Sequence, residues 1–455
     1  MSVDLSYKNQ PDNDQLDQFP GDTGMPIFGN AIPIVTDYLN EIQRRMKEYG
    51  NFNHMKMFKQ HSLMVAGPDL YQTIFQDRDS NFSAEMGYVK QLGEFYLGGL
   101  LIMDFDEHKA QRRMMQSAFR TQALTRYLEM MQPFITKHVQ SWGKEGDIVF
   151  YDKIKPLLLE IGAACFLGLS NVGEEMKRVN DLFLTINDGL VSMVKWNVPF
   201  TTYGKAKRAR VELEQYFLNL IRQRRAQDAV GDDMLTQFAM AKDENGNAWS
   251  EQEVMKHAIF LLFAAHDTTS SVLTSLARIL GGDPVAQQRC CDEANASGTE
   301  SPTREGLDAM QYTGWCFNEA LRLYPSVPMY MRRTIREFEW EGKTIPANTV
   351  LSMPSLINHL DPKYWTNPMQ FDPERFSDER AEHRGHPMCY TPFGGGLHKC
   401  IGYHFAELMT KAVLREIVRN WEFSTPAGYN PTMEWFPLPK AKDGVPLTLK
   451  KPKAA

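Results

Sequence analysis

The sequence of 455 residues has few cysteines, no long apolar run and no excess of positive charge. Its six cysteines are irregularly spaced. This spacing excludes a small disulfide-stapled fold and is typical of reduced thiols in an intracellular protein. The formal net charge is −6, and the scattered Lys and Arg residues form no basic field of the kind that polyanion binding requires. We therefore expect no nucleic-acid partner.

Targeting and membrane-spanning signals are also missing from the sequence. Residues 1–22 are polar and interrupted by proline, without a charged region followed by an apolar one. The apolar run AIFLLFAA at 258–265 is far shorter than the roughly 20 residues that cross a bilayer. The sequence thus predicts a cytoplasmic protein without a membrane anchor, and we expect it to be a monomer.

Helical periodicity is the main pattern that is present, extending from about residue 106 to 325 between turns rich in Gly and Asp. Strand patterns precede it at 52–58 and 61–67, and follow it within 332–354 and near the C-terminus. The predicted fold class is therefore mainly α with small β-sheets, an α+β fold.

One predicted helix, about 30 residues long, begins at a capping box formed by Ser250 and Glu253 and ends at Gly281-Gly282. Its apolar run breaks abruptly into HDTTSS at 266–271. Polar side chains in a core helix carry a desolvation cost unless partners or water meet them, so the break indicates a functional site.

A structural alternative for this break remains open. Thr268 and Ser271 can bond back to carbonyls one turn earlier, while Asp267 pairs locally. The small residues Ala264 and Ala265 favour the site, because they would let a flat ligand approach the helix backbone.

A lone cysteine, Cys400, lies in FGGGLHKCIG just before a predicted helix at 403–421. The start of that helix should favour an ionised sulfur. Gly394, Gly395, Gly396 and Gly402 permit positive φ and close approach of the backbone. Phe393 can cover the sulfur.

This pattern fits one kind of metal site better than another. No second Cys or His stands at zinc spacing, which argues against structural zinc. Haem iron needs a single protein ligand on one side, and a thiolate there favours O–O cleavage. A buried structural cysteine in a glycine turn is the alternative.

Four segments together resemble the cytochrome P450 monooxygenases. Phe393, Gly396, Cys400 and Gly402 are similar to the family's haem-binding signature. The family's Glu-x-x-Arg motif is matched by EALR at 319–322, in the right order before PERF at 373–376. AAHDTT at 264–269 resembles the oxygen-binding helix motif, with Ala265 where glycine is usual, and HKAQR at 108–112 resembles a propionate-facing helix.

The resemblance implies a role for each matching residue. Haem b would be held by Cys400, with Asp267 and Thr268 as catalytic residues beside bound oxygen and Glu319, Arg322 and Arg375 as a buried ion-pair network under the haem. The other cofactor-binding residues would be His108, Arg112, Ala264, Arg332, Phe393, His398 and Gly402.

The resemblance also implies a single domain over 1–455. Its β-rich part would comprise about 1–75 and 330–360, and its helical part about 76–325 and 403–421. Residues of four surrounding segments would line the substrate pocket, among them Tyr88, Val327, Met329 and Phe436.

As a member of this family, the protein would use O2 and two electrons to hydroxylate a bulky apolar small molecule. No flavin or ferredoxin segment is apparent, so a separate ferredoxin and ferredoxin reductase would supply electrons. The ferredoxin would dock on a basic patch of Lys109, Arg113, Arg120 and Lys399, for which a solvated helix face is the alternative. The helix motif with His266 and the segment 196–210 are loosely similar to sterol 14-demethylases and retinoic-acid hydroxylases. A sterol, terpenoid or retinoid-like substrate is favoured, with fatty acids or alkyl-aromatics next.

Two alternative functions remain. One is a haem-thiolate enzyme that uses peroxide, against which the Asp267-Thr268 pair argues. The other is a non-catalytic protein that binds haem or an apolar ligand.

Overall fold

The computed structural model describes residues 4–143, 146–169, 173–298 and 301–451. Within these ranges lie sixteen α-helices and twelve β-strands. The helices are α1 Ala31–Thr36, α2 Tyr38–Tyr49, α3 Pro68–Gln76, α4 Ala84–Tyr96, α5 Phe105–Met115, α6 Thr121–Trp142, α7 Phe150–Leu167, α8 Glu174–Leu190, α9 Thr202–Ala226, α10 Met234–Met240, α11 Glu251–Gly282, α12 Pro284–Ala296, α13 Arg304–Asp308, α14 Gln311–Leu323, α15 Ser355–His359 and α16 Tyr403–Asn420.

The strands form four small sheets. They are β1 Phe52–Met57, β2 Gln60–Val65, β3 Phe82–Ser83, β4 Asp147–Val149, β5 Met329–Thr334, β6 Phe338–Trp340, β7 Lys343–Ile345, β8 Val350–Pro354, β9 Glu422–Ser424, β10 Met433–Glu434, β11 Lys440–Ala441 and β12 Pro446–Lys450. The largest sheet has the order β1-β2-β8-β5-β3, and a three-stranded sheet has the order β4-β12-β9. The pairs β6-β7 and β10-β11 complete the set, which confirms the predicted fold class.

Strand β5 lies inside the five-stranded sheet, antiparallel to β8, with Arg332 opposite Leu351. On its other side β5 pairs with β3, which leads directly into α4. Apolar side chains on this sheet form a core cluster separate from that of the helices. The start of α4 is therefore joined to β5 through β3.

Helix α11 crosses the helical core and packs against α7, α9, α10 and α14. Both hydrogen bonds of the predicted capping box between Ser250 and Glu253 are present. By length and composition this helix can cross a membrane, but most of its apolar stretch is buried among other helices. Its apolar character is thus accounted for by the core.

Candidate cofactor site

The loop before α16 approaches α3 so closely that it excludes side chains. Gly394 and Gly396 adopt left-handed φ values of +68° and +61°. A Cβ atom on Gly396 would overlap the backbone carbonyl oxygen of Phe75. Gly395 is extended, and a Cβ there would lie 2.8 Å from the Phe75 ring. Gly395 and Gly396 are needed because the loop packs directly against Phe75 of α3, whereas Gly394 is needed for its left-handed φ.

Gly402 differs from the other glycines of the loop. Its φ is −88°, and a Cβ atom would make ordinary contacts at 3.8 Å to Phe119 and 3.9 Å to the Cys400 sulfur. We expected glycine at position 402 to be needed for positive φ or close backbone approach, but the polypeptide alone requires neither there.

The Cys400 side chain is accessible, yet it lies deep within the protein. This burial raises the pKa of the Cys400 thiol, although the Gly402 amide and the cations of Arg112 and Lys399 act in the opposite direction. The net shift is opposite to our expectation for a cysteine at a helix start. A bound metal cation inverts this balance and deprotonates a coordinating thiol.

The backbone around the cysteine is fixed by local bonds. The Cys400 amide donates to the Phe393 carbonyl oxygen at 2.9 Å. The Phe393 ring packs edge-on against Tyr403, with centroids 4.7 Å apart. Across the described part of the chain, no group of three His, Cys, Asp or Glu side chains is arranged to hold a metal ion, so Cys400 is a candidate for a site with one protein ligand.

Four nitrogen-containing side chains converge beside this loop. The rings of His108 and His398 stack with centroids 3.8 Å apart. Burial, followed by the cations of Arg112 and Arg332, lowers the pKa of His108 to about 4. Burial, Arg332, His108 and Arg112 lower the pKa of His398 well below its usual value. Both imidazoles are therefore neutral at pH 7, beside two guanidinium groups.

This cation cluster (His108, Arg112, Arg332 and His398) has no carboxylate in direct contact among the described residues, although the charge of Arg332 acts at longer range on the buried Asp77 carboxylate. Among the described residues, neither Arg112 nor Arg332 has a carboxylate oxygen within 4.0 Å. Arg332 is 4% exposed and donates to the carbonyl oxygen of its neighbour Met331 at 2.8 Å. The buried Nδ1 atom of His108 has no hydrogen-bond partner.

Buried cations and orphaned ring nitrogens are costly unless a ligand completes them. A ligand bearing carboxylates would supply the missing charge, and a metal ion in the same ligand would meet the Cys400 sulfur. Haem provides both, so the residues present fit this group.

The polar break in α11 combines local bonds with longer-range ones. Thr268 Oγ1 donates to the Ala264 carbonyl oxygen at 2.6 Å, as the structural alternative expected. Ser271 instead donates to the carbonyl oxygen of Pro439 at 2.6 Å. The carbonyl of Thr268 accepts a hydrogen bond from Ser326 at 2.9 Å, a partner that the sequence gave no reason to expect.

Asp267 is held by three partners. Its carboxylate lies 2.8 Å from His266 Nδ1, 3.2 Å from Asn187 Nδ2 on α8 and 3.6 Å from Lys155 Nζ on α7. Burial raises the pKa of Asp267, but His266 and Lys155 outweigh it and the net shift is downward. Asp267 is therefore ionised at pH 7, and it connects the centre of α11 to a partly exposed lysine.

Glu319, Arg322 and Arg375 form a fully buried network. Arg322 donates to both Glu319 oxygens, at 2.6 and 2.8 Å, and Arg375 Nε donates to Glu319 at 3.1 Å. The remaining guanidinium N–H groups bind backbone carbonyls, such as that of Pro368 at 2.7 Å, and the Glu382 carboxylate at 3.0 Å. The network is balanced in charge and in hydrogen bonds.

His359 connects this network to the cysteine loop, although no sequence pattern marked it. Its Nε2 accepts from the Thr391 amide at 2.9 Å, and its Nδ1 lies 3.2 Å from the Arg322 carbonyl oxygen. Complete burial lowers the pKa of His359 to about 3. The neutral ring thus joins α14 to the segment that leads into the loop.

The four candidate pocket residues lie in three apolar clusters. Tyr88 belongs to the helical core, and its hydroxyl accepts from the Met331 amide at 3.1 Å. Val327 packs against the cluster on the large sheet. Met329 and Phe436 lie together in a third cluster that also contains Tyr38. Of the four, only these last two are brought together.

The four basic residues considered for partner docking are all exposed. Among them Arg113 is paired with Glu244 at 2.7 Å. The set is Lys109, Arg113, Arg120 and Lys399.

Comparison with known proteins assigns the family. A sequence model of the family described as cytochrome P450 matches residues 19–445. The chain is 34% identical over 447 residues to putative cytochrome P450 136 of Mycobacterium tuberculosis, covering 97% of this chain and 90% of that protein. It is 26% identical to taxane 10-beta-hydroxylase of Taxus cuspidata, covering 92% and 87%. The solved structure of retinoic acid bound cyanobacterial CYP120A1 superposes with a TM-score of 0.84 at 26% identity, covering 95% and 99%.

Proposed function

The chain belongs to the cytochrome P450 family of haem b monooxygenases, and from this premise we propose that it hydroxylates a bulky apolar small molecule at a haem held by Cys400. The observation that carries the proposal is a cation cluster that has an unpartnered ring nitrogen and no directly bound carboxylate, beside an accessible cysteine. When bound, haem supplies an iron at which O2 is activated with two electrons.

In this proposal the cysteine loop binds the haem iron and the cation cluster binds the haem propionates. Cys400 would ligate the haem iron, Phe393 would cover its sulfur and Gly402 would leave space beside it. His108, Arg112, Arg332 and His398 bind the two propionates, for which charge-assisted hydrogen bonds from arginine are well suited. Ala264 leaves room for the ring on the opposite side.

Asp267 and Thr268 are proposed to deliver protons to the reaction centre. Lys155, with 27% of its side chain exposed, can pass protons from solvent to the Asp267 carboxylate. Thr268 Oγ1 then holds the proton donor in place next to Ala264. The cysteine loop is proposed to be supported by the network of Glu319, Arg322 and Arg375. His359 and Thr391 connect that network to the loop.

A terpenoid, retinoid or sterol is the proposed substrate class. The similarity of the chain to a taxane hydroxylase and to a structure with bound retinoic acid supports this choice. Tyr88, Val327, Met329 and Phe436 are proposed to line the pocket, and fatty acids or alkyl-aromatics are the next candidates.

Electrons are proposed to come from a separate ferredoxin and its reductase. The exposed residues Lys109, Arg113, Arg120 and Lys399 would meet an acidic surface of the ferredoxin. We further propose a cytoplasmic, monomeric protein in which residues 1–455 form one domain.

Replacing the proposed ligand tests the haem assignment. Cys400→Ala should abolish the red-shifted Soret band of the reduced carbon monoxide complex, because that band requires a thiolate ligand. Cys389→Ala is the matched control, since Cys389 is a buried cysteine of the preceding segment. A Cys400→Ala protein that keeps the band would overturn the assignment.

Turnover experiments separate monooxygenation from the two alternatives. With substrate, reduced ferredoxin should drive oxygen consumption, and Thr268→Ala should raise the hydrogen peroxide released per reduced cofactor. An unchanged ratio would contradict the role of Thr268. Activity with hydrogen peroxide but not with ferredoxin would indicate a peroxide-using enzyme, and no substrate-dependent oxygen consumption would indicate a binding protein. A Soret-shift screen with retinoic acid, a diterpene, a sterol and a fatty acid would identify the substrate class.

A further inference from the structure

Residues 4–13, which we call the N-terminal strap, are tied into the protein interior although they precede every sheet and α-helix. Tyr7 is 3% exposed, and its hydroxyl donates to Asp104 at 2.8 Å. The Tyr7 ring packs edge-on against Phe105 at 6.2 Å. Burial and the Asp104 carboxylate raise the pKa of Tyr7, which keeps its hydroxyl protonated as a donor.

Asp104 joins the strap to two helices. Its carboxylate accepts from the backbone amides of Ala84 at 2.7 Å and Glu85 at 3.1 Å, in the first turn of α4, and from the hydroxyl of Ser83. Its carbonyl oxygen accepts from the His108 amide at 3.0 Å, in the first turn of α5. The buried residue Asp104 therefore holds the start of α4 and the strap through its carboxylate, and the first turn of α5 through its carbonyl oxygen.

Arg333 joins the strap to strand β5. It is 1% exposed, and its Nη1 donates to the Gln10 carbonyl oxygen at 2.9 Å and to Asp12 at 3.0 Å. Its Nη2 donates to the Tyr7 carbonyl oxygen. The next residue towards the N-terminus of β5 is Arg332 of the cation cluster.

Two ion pairs attach the strap to α4 as well. Lys8 Nζ lies 2.6 Å from Glu85, and Lys90 Nζ lies 2.5 Å from Asp12. Because these pairs are partly exposed, each contributes little stability. The strap is therefore attached mainly by the buried hydrogen bonds of Tyr7 and Arg333.

We propose that the N-terminal strap positions the cation cluster for its ligand. Helix α5 contributes His108 and Arg112, while β5 contributes Arg332. The strap bonds to Asp104, whose carbonyl oxygen accepts from the His108 amide, and to Arg333, which adjoins Arg332. It thereby holds in place the two elements that bring the guanidinium groups of Arg112 and Arg332 to the paired imidazoles of His108 and His398. Tyr7, Asp104 and Arg333 are positioning residues, and the inference rests on the proposed haem site.

The test measures how fast the holoprotein loses haem. Tyr7→Phe removes one hydrogen bond to a carboxylate and keeps the ring, and Tyr429→Phe is the matched control because Tyr429 donates to Asp443 at 2.6 Å near the C-terminus. Haem transfer to an excess of a haem-free acceptor protein should be about threefold or more faster in Tyr7→Phe, since a hydrogen bond to a charged group is worth up to ~100-fold in an equilibrium. The control should match the wild type.

A second measurement separates positioning from general destabilisation. Hydrogen exchange at the Ala84 and Glu85 amides should accelerate in Tyr7→Phe and not in Tyr429→Phe, while urea unfolding reports the stability of both. Should Tyr7→Phe fail to fold, Asp12→Asn weakens the bond to Arg333 and should also accelerate haem loss.

Equal haem-loss rates in Tyr7→Phe, Tyr429→Phe and the wild type would overturn the role of the strap alone. A wild-type protein that binds no haem through a thiolate would overturn the proposed function as well, so the two failures are distinguishable.

Discussion

The network around Glu319 and the cation cluster around Arg332 both bury guanidinium groups, but only the network contains a carboxylate. Glu319 accepts from both of its arginines, and backbone carbonyls take up the remaining donors. Arg332 lies beside Arg112 and two neutral histidines, with a ring nitrogen of His108 unpartnered. A buried charge that is balanced serves the structure, whereas one that is not balanced indicates where a ligand belongs.

The two clusters also differ in how they are connected to the rest of the chain. The network is linked through His359 to the cysteine loop and needs nothing from outside the chain. The cation cluster is assembled from α5, β5 and the cysteine loop, so it depends on how these elements are held. Variants of the two clusters should therefore have opposite effects on the free energy of unfolding of the haem-free protein.

The largest effect is expected in the balanced network. Glu319→Gln leaves Arg322 buried without a counter-charge and leaves Arg375 with the Glu382 carboxylate alone, which should lower the free energy of unfolding by about 3–5 kcal/mol. Urea denaturation measures it. Glu374→Gln is the control, since Glu374 pairs with Arg289 at 2.7 Å on the surface and should cost less than about 1 kcal/mol. An equal loss of unfolding free energy in Glu319→Gln and Glu374→Gln would contradict the structural role of the buried network.

Acid should weaken the network through His359. The folded pKa is about 3 and the unfolded value is about 6.5, so protonation favours the unfolded state. The stability that the neutral ring contributes is complete above about pH 6.5 and is lost as the pH falls towards about 3. At pH 5 the free energy of unfolding should already be about 2 kcal/mol lower than at neutral pH. His359→Gln should flatten this part of the stability profile, and an unchanged slope between pH 6.5 and 4 would exclude His359 as the titrating group.

The smallest effect, with the opposite sign, is expected in the cation cluster. In the haem-free protein, Arg332→Gln removes a buried cation that has no carboxylate within 4.0 Å and should raise the free energy of unfolding by up to about 1 kcal/mol. In the holoprotein the same change should speed haem loss. Arg336→Gln, at an exposed arginine four residues further on, should do neither. Loss of stability in haem-free Arg332→Gln, comparable to that in Glu319→Gln, would remove the contrast between the clusters.

Sequence patterns predicted the parts of this structure that depend on near neighbours. The capping box at Ser250, the β1-β2 hairpin and the helix after Cys400 all follow from spacing within a few residues. The chemistry of a lone thiol beside glycines, together with the family resemblance, identified the candidate cofactor site.

Contacts between distant segments could not be predicted in the same way. His359 binds Thr391, which is 32 residues away, and Tyr7 binds Asp104, which is 97 residues away. Neither pair has a local pattern, because only the packing of separate elements brings its members together. The direction of the Cys400 pKa shift also depends on this packing, since burial outweighs the helix start.

The hydrogen bond from Thr268 to Ala264 has a consequence for selectivity. A hydroxyl has one proton, and here the helix backbone takes it at 2.6 Å. The oxygen of Thr268 is left with lone pairs alone to offer a neighbour. A small molecule next to it must therefore bring its own hydrogen, so that water or an alcohol is held there while a ketone or ether oxygen is turned away.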